Sequence, residues 1–296
     1  MKKKFFRWRG QSRRLLVQIG SALLTNSHFS GFARGTLYQG SLKRICLPGL
    51  NCYSCPGALG SCPIGALQAV ASSASFDVAY YVAGLILLFG LLLGRAICGW
   101  FCPFGLVQDL LWRLPVPKLH RMPGDRLLRL LKYAVLFLLV LVLPAALTNA
   151  VGMGEPLFCK WICPSGTLFA GLPVVAADGN IRAALGGLFR WKLILLLGLL
   201  LLATVVHRPF CKYLCPLGAI YGPLNQISLF RYQVAESCTH CGGCRAVCPM
   251  QVEMPQKPNS SECIRCGRCR EACPQQAITP EPICRREKRK QACRDA

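Results

Sequence analysis

Long apolar runs separated by short charged segments occupy most of the first 230 residues. Residues 78–94 and 133–154 contain no charged side chain, and a shorter apolar run at 193–206 follows Arg190 and Lys192. A helix that crosses a membrane needs about 20 mostly apolar residues, and about 17 is the lower limit. The three runs therefore predict membrane helices, the last one lengthened by its basic flank, which can reach the lipid headgroups.

A fourth apolar stretch, at residues 15–33, is interrupted by polar residues such as Gln18 and Asn26. As a membrane helix it would have to turn this polar face towards other helices. Four spans would place both ends of the chain on one side of the membrane. A competing interpretation adds a fifth span at residues 161–177, but the short length of this stretch and its Pro173 favour a half-helix.

The distribution of charge supports the four-span arrangement. The formal net charge is +23, from 35 Lys and Arg against 12 Asp and Glu, and basic residues concentrate in residues 1–14, in the loop 113–132 and beyond residue 231. Such segments stay on the cytoplasmic side of a membrane. We therefore expect a multi-pass protein of the cytoplasmic (inner) membrane, with the lipid bilayer around it and both termini in the cytoplasm. A nucleic-acid partner is not expected, because the basic residues bracket apolar runs and do not form one patch.

The chain contains 20 cysteines, most of them in closely spaced groups that are followed by proline. Metal ligands have this spacing, whereas disulfide frameworks are typical of small secreted domains. The C-terminal groups repeat the pattern Cys-x2-Cys-x2-Cys-x3-Cys-Pro of two-cluster bacterial ferredoxins, in which the fourth cysteine ligates the other cluster. A zinc site rarely has this doubled spacing. The sequence thus predicts two [4Fe–4S] clusters, one on Cys238, Cys241, Cys244 and Cys273, the other on Cys263, Cys266, Cys269 and Cys248.

The apolar part of the chain contains a second cysteine pattern. Proline directly after a cysteine suits the first turn of a helix, where its missing N–H costs nothing, and the dipole of a helix N-terminus favours a thiolate. Each element therefore predicts a thiolate, or a pair of thiolates, at the point where a helix begins. The motif Cys-Pro-x-Gly begins at Cys62, Cys102, Cys163 and Cys215, and the last three have a partner four positions earlier, at Cys98, Cys159 and Cys211.

The predicted spans sort these cysteines into two groups and divide the membrane domain into two similar halves. The inner group, on the cytoplasmic side, has four thiolates, enough for one further iron–sulfur cluster: Cys98, Cys102, Cys211 and Cys215. The outer group has six: Cys46, Cys52, Cys55, Cys62, Cys159 and Cys163. Two arrangements of an outer cluster are open. One uses Cys46, Cys52, Cys55 and Cys62 and leaves Cys159 and Cys163 for a disulfide or another metal; the other uses Cys55, Cys62, Cys159 and Cys163.

Two segments and the double ferredoxin motif resemble the NapH/MauN family of polytopic, ferredoxin-type membrane proteins, which is related to NosR-like and CcoG-like proteins. The segments are GRAICGWFCPFG at residues 94–105 and RPFCKYLCPLG at residues 208–218. The resemblance implies four spans, cytoplasmic termini, and electron transfer between the quinone pool and redox partners. The additional cysteines at residues 46–62 and at 159 and 163 depart from the family pattern and fit a protein with redox centres near both faces.

Together these features predict an all-α membrane domain of about four transmembrane helices at residues 15–230, an α+β two-cluster ferredoxin-like domain at 231–280, and basic ends at 1–14 and 281–296. The expected function is electron transfer between quinone or quinol, or an outer-face partner, and a cytoplasmic redox protein, in the manner of a quinol dehydrogenase subunit. A copper-ion reductase of the CcoG type and a redox-sensing assembly factor are the alternatives. No catalytic residue is assigned.

Overall fold

The basic ends predicted at the two termini fall largely outside the part of the chain that the structure describes, and so do Cys284 and Cys293. The computed structural model describes residues 9–72, 77–119, 122–147 and 154–282.

Within these ranges a helical body is followed by a small α+β unit. The body contains α1 to α13, and the unit contains two short helices and a two-stranded sheet. The middle of α7 and the start of α9 have π-helical turns. The helices are α1 (Arg9–Thr25), α2 (Phe29–Arg34), α3 (Pro63–Ala71), α4 (Asp77–Leu93), α5 (Ala96–Trp100), α6 (Pro103–Leu111), α7 (Asp125–Ala146), α8 (Leu157–Trp161), α9 (Pro164–Ala177), α10 (Gly179–Ala183), α11 (Gly187–Val205), α12 (Pro209–Tyr213), α13 (Pro216–Ile227), α14 (Gly243–Ala246) and α15 (Arg268–Ala272), with a 3-10 turn at Ser41–Arg44.

Two helices of the described chain are long and apolar enough to cross a membrane, α7 with 22 residues and α11 with 19. Both turn large apolar side chains outward: Leu127 on α7 is 75% exposed and Leu201 on α11 is 70% exposed. The core helix of a soluble protein buries its apolar stripe, and a large apolar surface needs lipid or another apolar surface to cover it. The two helices therefore support the predicted membrane domain.

The structure does not confirm four spans. The helix predicted at residues 78–94 forms as α4, whose 17 residues lie at the lower limit for a span. The prediction of a single helix at residues 15–33 is wrong, because residues 26–28 separate α1 from α2. The competing span at residues 161–177 forms the apolar helix α9, which is too short to be a span.

Polar side chains hold α1 against α5 and α6. Arg14 donates from Nε to the carbonyl oxygen of Gly99 at 2.8 Å, and Gln18 donates to a carboxylate oxygen of Asp109 at 3.3 Å. Near the end of α1, Ser21 donates to the carbonyl of Phe101 at 3.1 Å. The polar residues that weakened the interpretation of α1 as a span therefore make hydrogen bonds within the protein.

The C-terminal unit has the α+β form that the sequence predicts. Strands β1 (Phe230–Val234) and β2 (Ile278–Pro282) pair antiparallel, and a small core forms around Tyr232, Met250 and Ile264. The two cysteine motifs repeat one turn geometry, with left-handed backbone at the residue before the second cysteine, at the glycine after it, and at a glutamine three residues after the fourth cysteine. These left-handed positions are His240, Gly242 and Gln251 in the first motif and Arg265, Gly267 and Gln276 in the second.

Candidate iron–sulfur centres

The Cys-x3-Cys-Pro elements share one local structure. In each, the first cysteine is the third residue of a five-residue helix: Cys98 in α5, Cys159 in α8 and Cys211 in α12. The second cysteine caps the next helix, whose first residue is the proline, as the sequence predicts. The capping cysteine is extended in all four Cys-Pro-x-Gly motifs, with φ/ψ of −79°/130° at Cys62, −77°/118° at Cys102, −60°/109° at Cys163 and −73°/114° at Cys215.

The glycine of each motif places a backbone N–H near the sulfur of the capping cysteine. Burial raises the pKa of these thiols, and the nearby N–H groups act in the opposite direction. A helix N-terminus thus favours the thiolate that a metal ligand requires. The four glycines are Gly65, Gly105, Gly166 and Gly218.

The structure brings the predicted inner group together where α5 and α6 meet α12 and α13. All four thiols are buried, and each is close enough to another thiol of the group to interact with it electrostatically. Gln108 on α6 donates from Nε2 to the sulfur of Cys211 at 3.2 Å, a contact of the kind that tunes iron–sulfur clusters. We call Cys98, Cys102, Cys211 and Cys215 the junction quartet.

Two buried arginines connect the two halves of the junction quartet, Cys98/Cys102 and Cys211/Cys215. Arg95, three residues before Cys98, donates from Nη2 to the carbonyl of Cys211 at 3.0 Å. Arg208, three residues before Cys211, donates from Nη1 to the carbonyl of Cys98 at 2.5 Å. Each half therefore supplies the cation that contacts the other half. The guanidinium groups leave no free space beside the motif glycines, because a β-carbon at Gly105 or Gly218 would lie 3.2 or 3.0 Å from them.

Each arginine is paired with a buried carboxylate that a second cation also contacts. Asp109 binds Arg208 and Arg14, and Glu262 binds Arg95 at 2.8 Å and also Lys132. Burial alone would raise the pKa of Glu262, but the charges of Arg95 and Lys132 outweigh burial and lower that pKa to about 2. Both carboxylates therefore stay ionised at neutral pH.

The sequence reading missed these charged groups as part of the site. The sequence did contain a signal for them. Both inner elements have an arginine three residues before their first cysteine, whereas the third element has Pro156 at this position.

Two cavities divide the eight cysteines of the C-terminal unit. The grouping is the one expected from the spacing, in which the fourth cysteine of each motif joins the other set. Burial raises the pKa of Cys263 to about 12, and Cys241 is exposed. The first cavity is lined by Cys238, Cys241, Cys244 and Cys273, and the second by Cys248, Cys263, Cys266 and Cys269. We call them the first and second ferredoxin quartets.

The loop that carries Cys263 is seated on the junction quartet. Asn225 on α13 accepts the backbone N–H of Arg95 at 3.0 Å and donates to the carbonyl of Cys263 at 3.1 Å, so one side chain links the two sites. Trp100 donates to the carbonyl of Arg265 at 3.0 Å. Arg265 is only 1% exposed and donates to the carbonyl of Leu93 at 2.9 Å. Arg265 therefore fixes the ferredoxin unit to the helical body.

Four of the six predicted outer cysteines line one pocket beside α8 and α9: Cys52, Cys62, Cys159 and Cys163. Neither grouping expected from the sequence matches this set. Cys46 and Cys55 are 3% and 0% exposed and do not line the pocket. The reason is local: Cys46 is held in a backbone bridge with Ser61, and a turn between Cys52 and Cys55 directs only Cys52 into the pocket.

The predicted separation of inner and outer cysteines by a membrane thickness does not hold for the segment between Cys46 and Cys52. A β-carbon at Gly49 would lie 3.3 Å from the Cα of Cys102, and the N–H of Leu50 lies near the Cys102 sulfur. Tyr221 on α13 donates to the carbonyl of Pro48 at 3.1 Å. The chain after α1 stays beside the junction quartet because α1 packs on α5 and α6 and does not cross to a far side.

The donor sets suit iron–sulfur clusters. Thiolates are the usual ligands of such clusters, four to a cube. Among the described residues, no three His, Cys, Asp or Glu side chains converge closely enough to hold a single metal ion. The sulfurs that ligate a cube surround it and stand farther apart than the ligands of one ion.

Two models of protein families match the chain. One is described as a 4Fe-4S binding domain and matches residues 78–121, 133–173 and 190–233, and the other is described as a 4Fe-4S dicluster domain and matches residues 230–274. No solved structure matches.

Curated relatives match much of the same sequence. The methylamine utilization ferredoxin-type protein MauN of Methylorubrum extorquens is 32% identical over 228 residues, which are 73% of this chain and 70% of MauN. The ferredoxin-type protein NapH of Haemophilus influenzae is 32% identical over 170 residues, which are 56% of this chain and 52% of NapH. With this extent of similarity and with matches to two 4Fe-4S domain models, the chain belongs to the family of ferredoxin-type proteins that includes MauN and NapH.

Proposed function

We propose that this protein transfers single electrons between a partner in the membrane and a cytoplasmic redox protein, using [4Fe–4S] clusters on the ferredoxin quartets and the junction quartet. Clusters at these positions would each accept and release one electron. The observation that carries the proposal is the seating of the Cys263 loop on α5, which holds Cys98, and on α13, which begins after Cys215.

The residues between the sites give a short and rigid path. The carbonyl of Ile264 leaves no room for a β-carbon at Gly99, the residue next to Cys98, and Asn225 hydrogen-bonds to backbone groups on both sides. Electron tunnelling falls off steeply with distance, so direct contact between two ligand-bearing segments favours exchange between their sites.

The first ferredoxin quartet is the candidate exit to a soluble partner. Cys241 is exposed, whereas Cys263 and Cys269 of the second quartet are buried. A partner can therefore approach the first quartet from solvent, while the second quartet faces the helical body.

The partner on the membrane side is proposed to be quinol or a redox protein near the pocket of Cys52 and Cys159.

The alternative function of a copper reductase is supported less well. The two described cysteines that belong neither to a quartet nor to this pocket, Cys46 and Cys55, are 3% and 0% exposed, which shields these soft ligands from copper in solution.

Quinol-dependent reduction in membrane vesicles tests the proposal. We expect quinol to reduce the ferredoxin-domain clusters of the wild type, followed by electron paramagnetic resonance. The variant Cys98→Ser/Cys102→Ser should lose this reaction but still be reduced by dithionite, because its ferredoxin quartets are intact. Cys46→Ser is the matched control and should behave like the wild type.

Two results would contradict the proposal. One is a wild type whose clusters accept electrons from dithionite but from no membrane donor. The other is a junction variant that quinol reduces as fast as the wild type. Oxidation of the reduced protein by a copper salt, with quinol inert, would support the reductase instead.

A further inference from the structure

The pocket beside α8 and α9 contains four thiols that neither the ferredoxin quartets nor the junction quartet use. Two come from the segment after α2, and two come from the Cys-x3-Cys-Pro element of α8 and α9. We propose that Cys52, Cys62, Cys159 and Cys163, here called the fourth quartet, hold a further [4Fe–4S] cluster. This inference extends the proposed function, and it concerns a site of its own.

The fourth quartet is built from the same parts as the junction quartet. Cys159 is the third residue of a five-residue helix, as Cys98 and Cys211 are. Cys62 and Cys163 are extended residues that cap helices beginning with proline, as Cys102 and Cys215 are. The two segments meet at Gly166, where a β-carbon would lie 3.7 Å from the sulfur of Cys52.

A cation occupies the same place in both quartets. Lys192 lines the pocket and donates from Nζ to the carbonyl of Cys159 at 3.1 Å. In the junction quartet, Arg95 and Arg208 donate to the carbonyls of Cys211 and Cys98. The first cysteine of all three Cys-x3-Cys-Pro elements therefore has a positive side chain on its carbonyl oxygen. Such a charge favours an anionic occupant, as a cube with four thiolates is.

The arrangement argues against the other occupants of a thiol pocket. All described cysteines are free thiols, Cys159 and Cys163 included. Four sulfurs that bind one zinc ion have to converge to about 2.3 Å from it, and the described residues contain no such convergence. A cube, which keeps its ligands apart, fits the pocket better than a single ion.

The fourth quartet lies next to the junction quartet. Leu50, two residues before Cys52, has its N–H near the sulfur of Cys102, and the rings of Phe104 and Phe169, which follow Cys102 and Cys163, are 6.5 Å apart. A cluster at this position would continue the series of sites into the helical body. A membrane donor would then exchange electrons with the fourth quartet first.

Iron and acid-labile sulfide per chain test the inference, on full-length protein purified without oxygen in detergent. We expect about sixteen irons in the wild type, at four to a cube. The variant Cys159→Ser/Cys163→Ser should hold about twelve, a loss of one quarter. The control Cys46→Ser/Cys55→Ser removes two buried thiols that lie outside the pocket, and it should keep the wild-type iron content.

The electron paramagnetic resonance signals of the ferredoxin quartets show whether each variant is folded. The inference is overturned if the Cys159→Ser/Cys163→Ser variant keeps its signals and all the iron of the wild type. It is also overturned if the wild type holds one zinc or copper ion that this variant loses. A junction variant that loses four irons, beside a Cys159→Ser/Cys163→Ser variant that loses none, would leave the proposed function in place without the fourth cluster.

Discussion

Arg95 and Arg208 are fully buried, and such charges persist only when they are paired and hydrogen-bonded. Around the junction quartet, Arg14, Arg95, Lys132 and Arg208 face two carboxylates, Asp109 and Glu262. The side chains therefore leave a positive surplus beside four thiols. A surplus of this sign stabilises the more negative, reduced form of a cluster, and net charge is one of the factors that set cluster potentials.

The first prediction at the residue scale is a change of potential. Arg208→Gln should lower the midpoint potential of the junction cluster by on the order of 60 mV, a tenfold change in a one-electron equilibrium. Asp109 would keep Arg14 as its partner, so no carboxylate is left unpaired. Potentiometric titration followed by electron paramagnetic resonance measures the shift.

Arg208→Lys separates charge from shape. It keeps the cation and loses the planar fork, so its potential should stay nearer to that of the wild type. Equal shifts in Arg208→Gln and Arg208→Lys would assign the effect to geometry and contradict the electrostatic account.

At the scale of elements, the sequence predicted what depends on local rules. The helix starts after Cys62, Cys102, Cys163 and Cys215 follow from proline at the first helical position. The division of the ferredoxin cysteines follows from a spacing that one cube cannot satisfy. Both rules operate within a few residues of the chain.

What the sequence could not predict depends on packing between distant segments. Cys52 and Cys55 differ only in their position on one turn, and nothing in the spacing indicates which one points at Cys159. Gly49 packs on Cys102, and Arg14 pairs with Asp109 across 95 positions of sequence. Apolar periodicity carries no information about either contact.

Glu262 makes the buried ion pairs between the ferredoxin unit and the helical body. Glu262→Gln would leave Arg95 and Lys132 buried with a neutral partner, and removing one member of a buried ion pair costs about 3–5 kcal/mol. We expect the variant to lose most of this free energy of contact between the ferredoxin unit and the helical body. The chain near Ser228, between α13 and β1, should then become exposed to proteases. Limited proteolysis at neutral pH, read by mass spectrometry, measures the exposure.

Glu253→Gln is the control, because Glu253 pairs with Arg245 at 3.5 Å on the surface, with side chains 45% and 57% exposed. Such a pair contributes between zero and about 1 kcal/mol, so this variant should digest like the wild type. The same digestion pattern in both variants would rule out Glu262 as the anchor.

The lowered pKa of Glu262 means that its contribution to the stability of the folded protein is fully present above about pH 4.5. This contribution is lost only as the pH falls through about 2.

At the scale of the whole molecule, the ferredoxin unit, the start of α7 and the end of α11 lie together. Tyr213 donates to Asp125 at 2.6 Å, Arg129 on α7 donates to Gln251 of the ferredoxin unit at 3.3 Å, and the N–H of Leu119 donates to the carbonyl of Val205 at 3.0 Å. The described parts of two basic segments that the sequence assigned to the cytoplasm, the loop at 113–132 and the C-terminal unit, are therefore neighbours at one end of the two long apolar helices.

This arrangement predicts the sidedness of proteolysis. Trypsin should cut the ferredoxin unit in inverted membrane vesicles and spare it in right-side-out vesicles. The exposed Arg182, before the opposite end of α11, should show the reverse pattern. Cleavage of both regions from the same side would contradict the proposed topology.

The seating of the Cys263 loop also constrains the order of biosynthesis. In the folded protein the junction thiols are at most 5% exposed, and the carbonyl of Ile264 closes directly over Gly99. A preformed cube delivered by a scaffold protein cannot pass through that cover. Maturation of the proposed junction cluster would therefore precede the seating of the ferredoxin unit, and the ion pairs of Glu262 would close a site that has already been loaded.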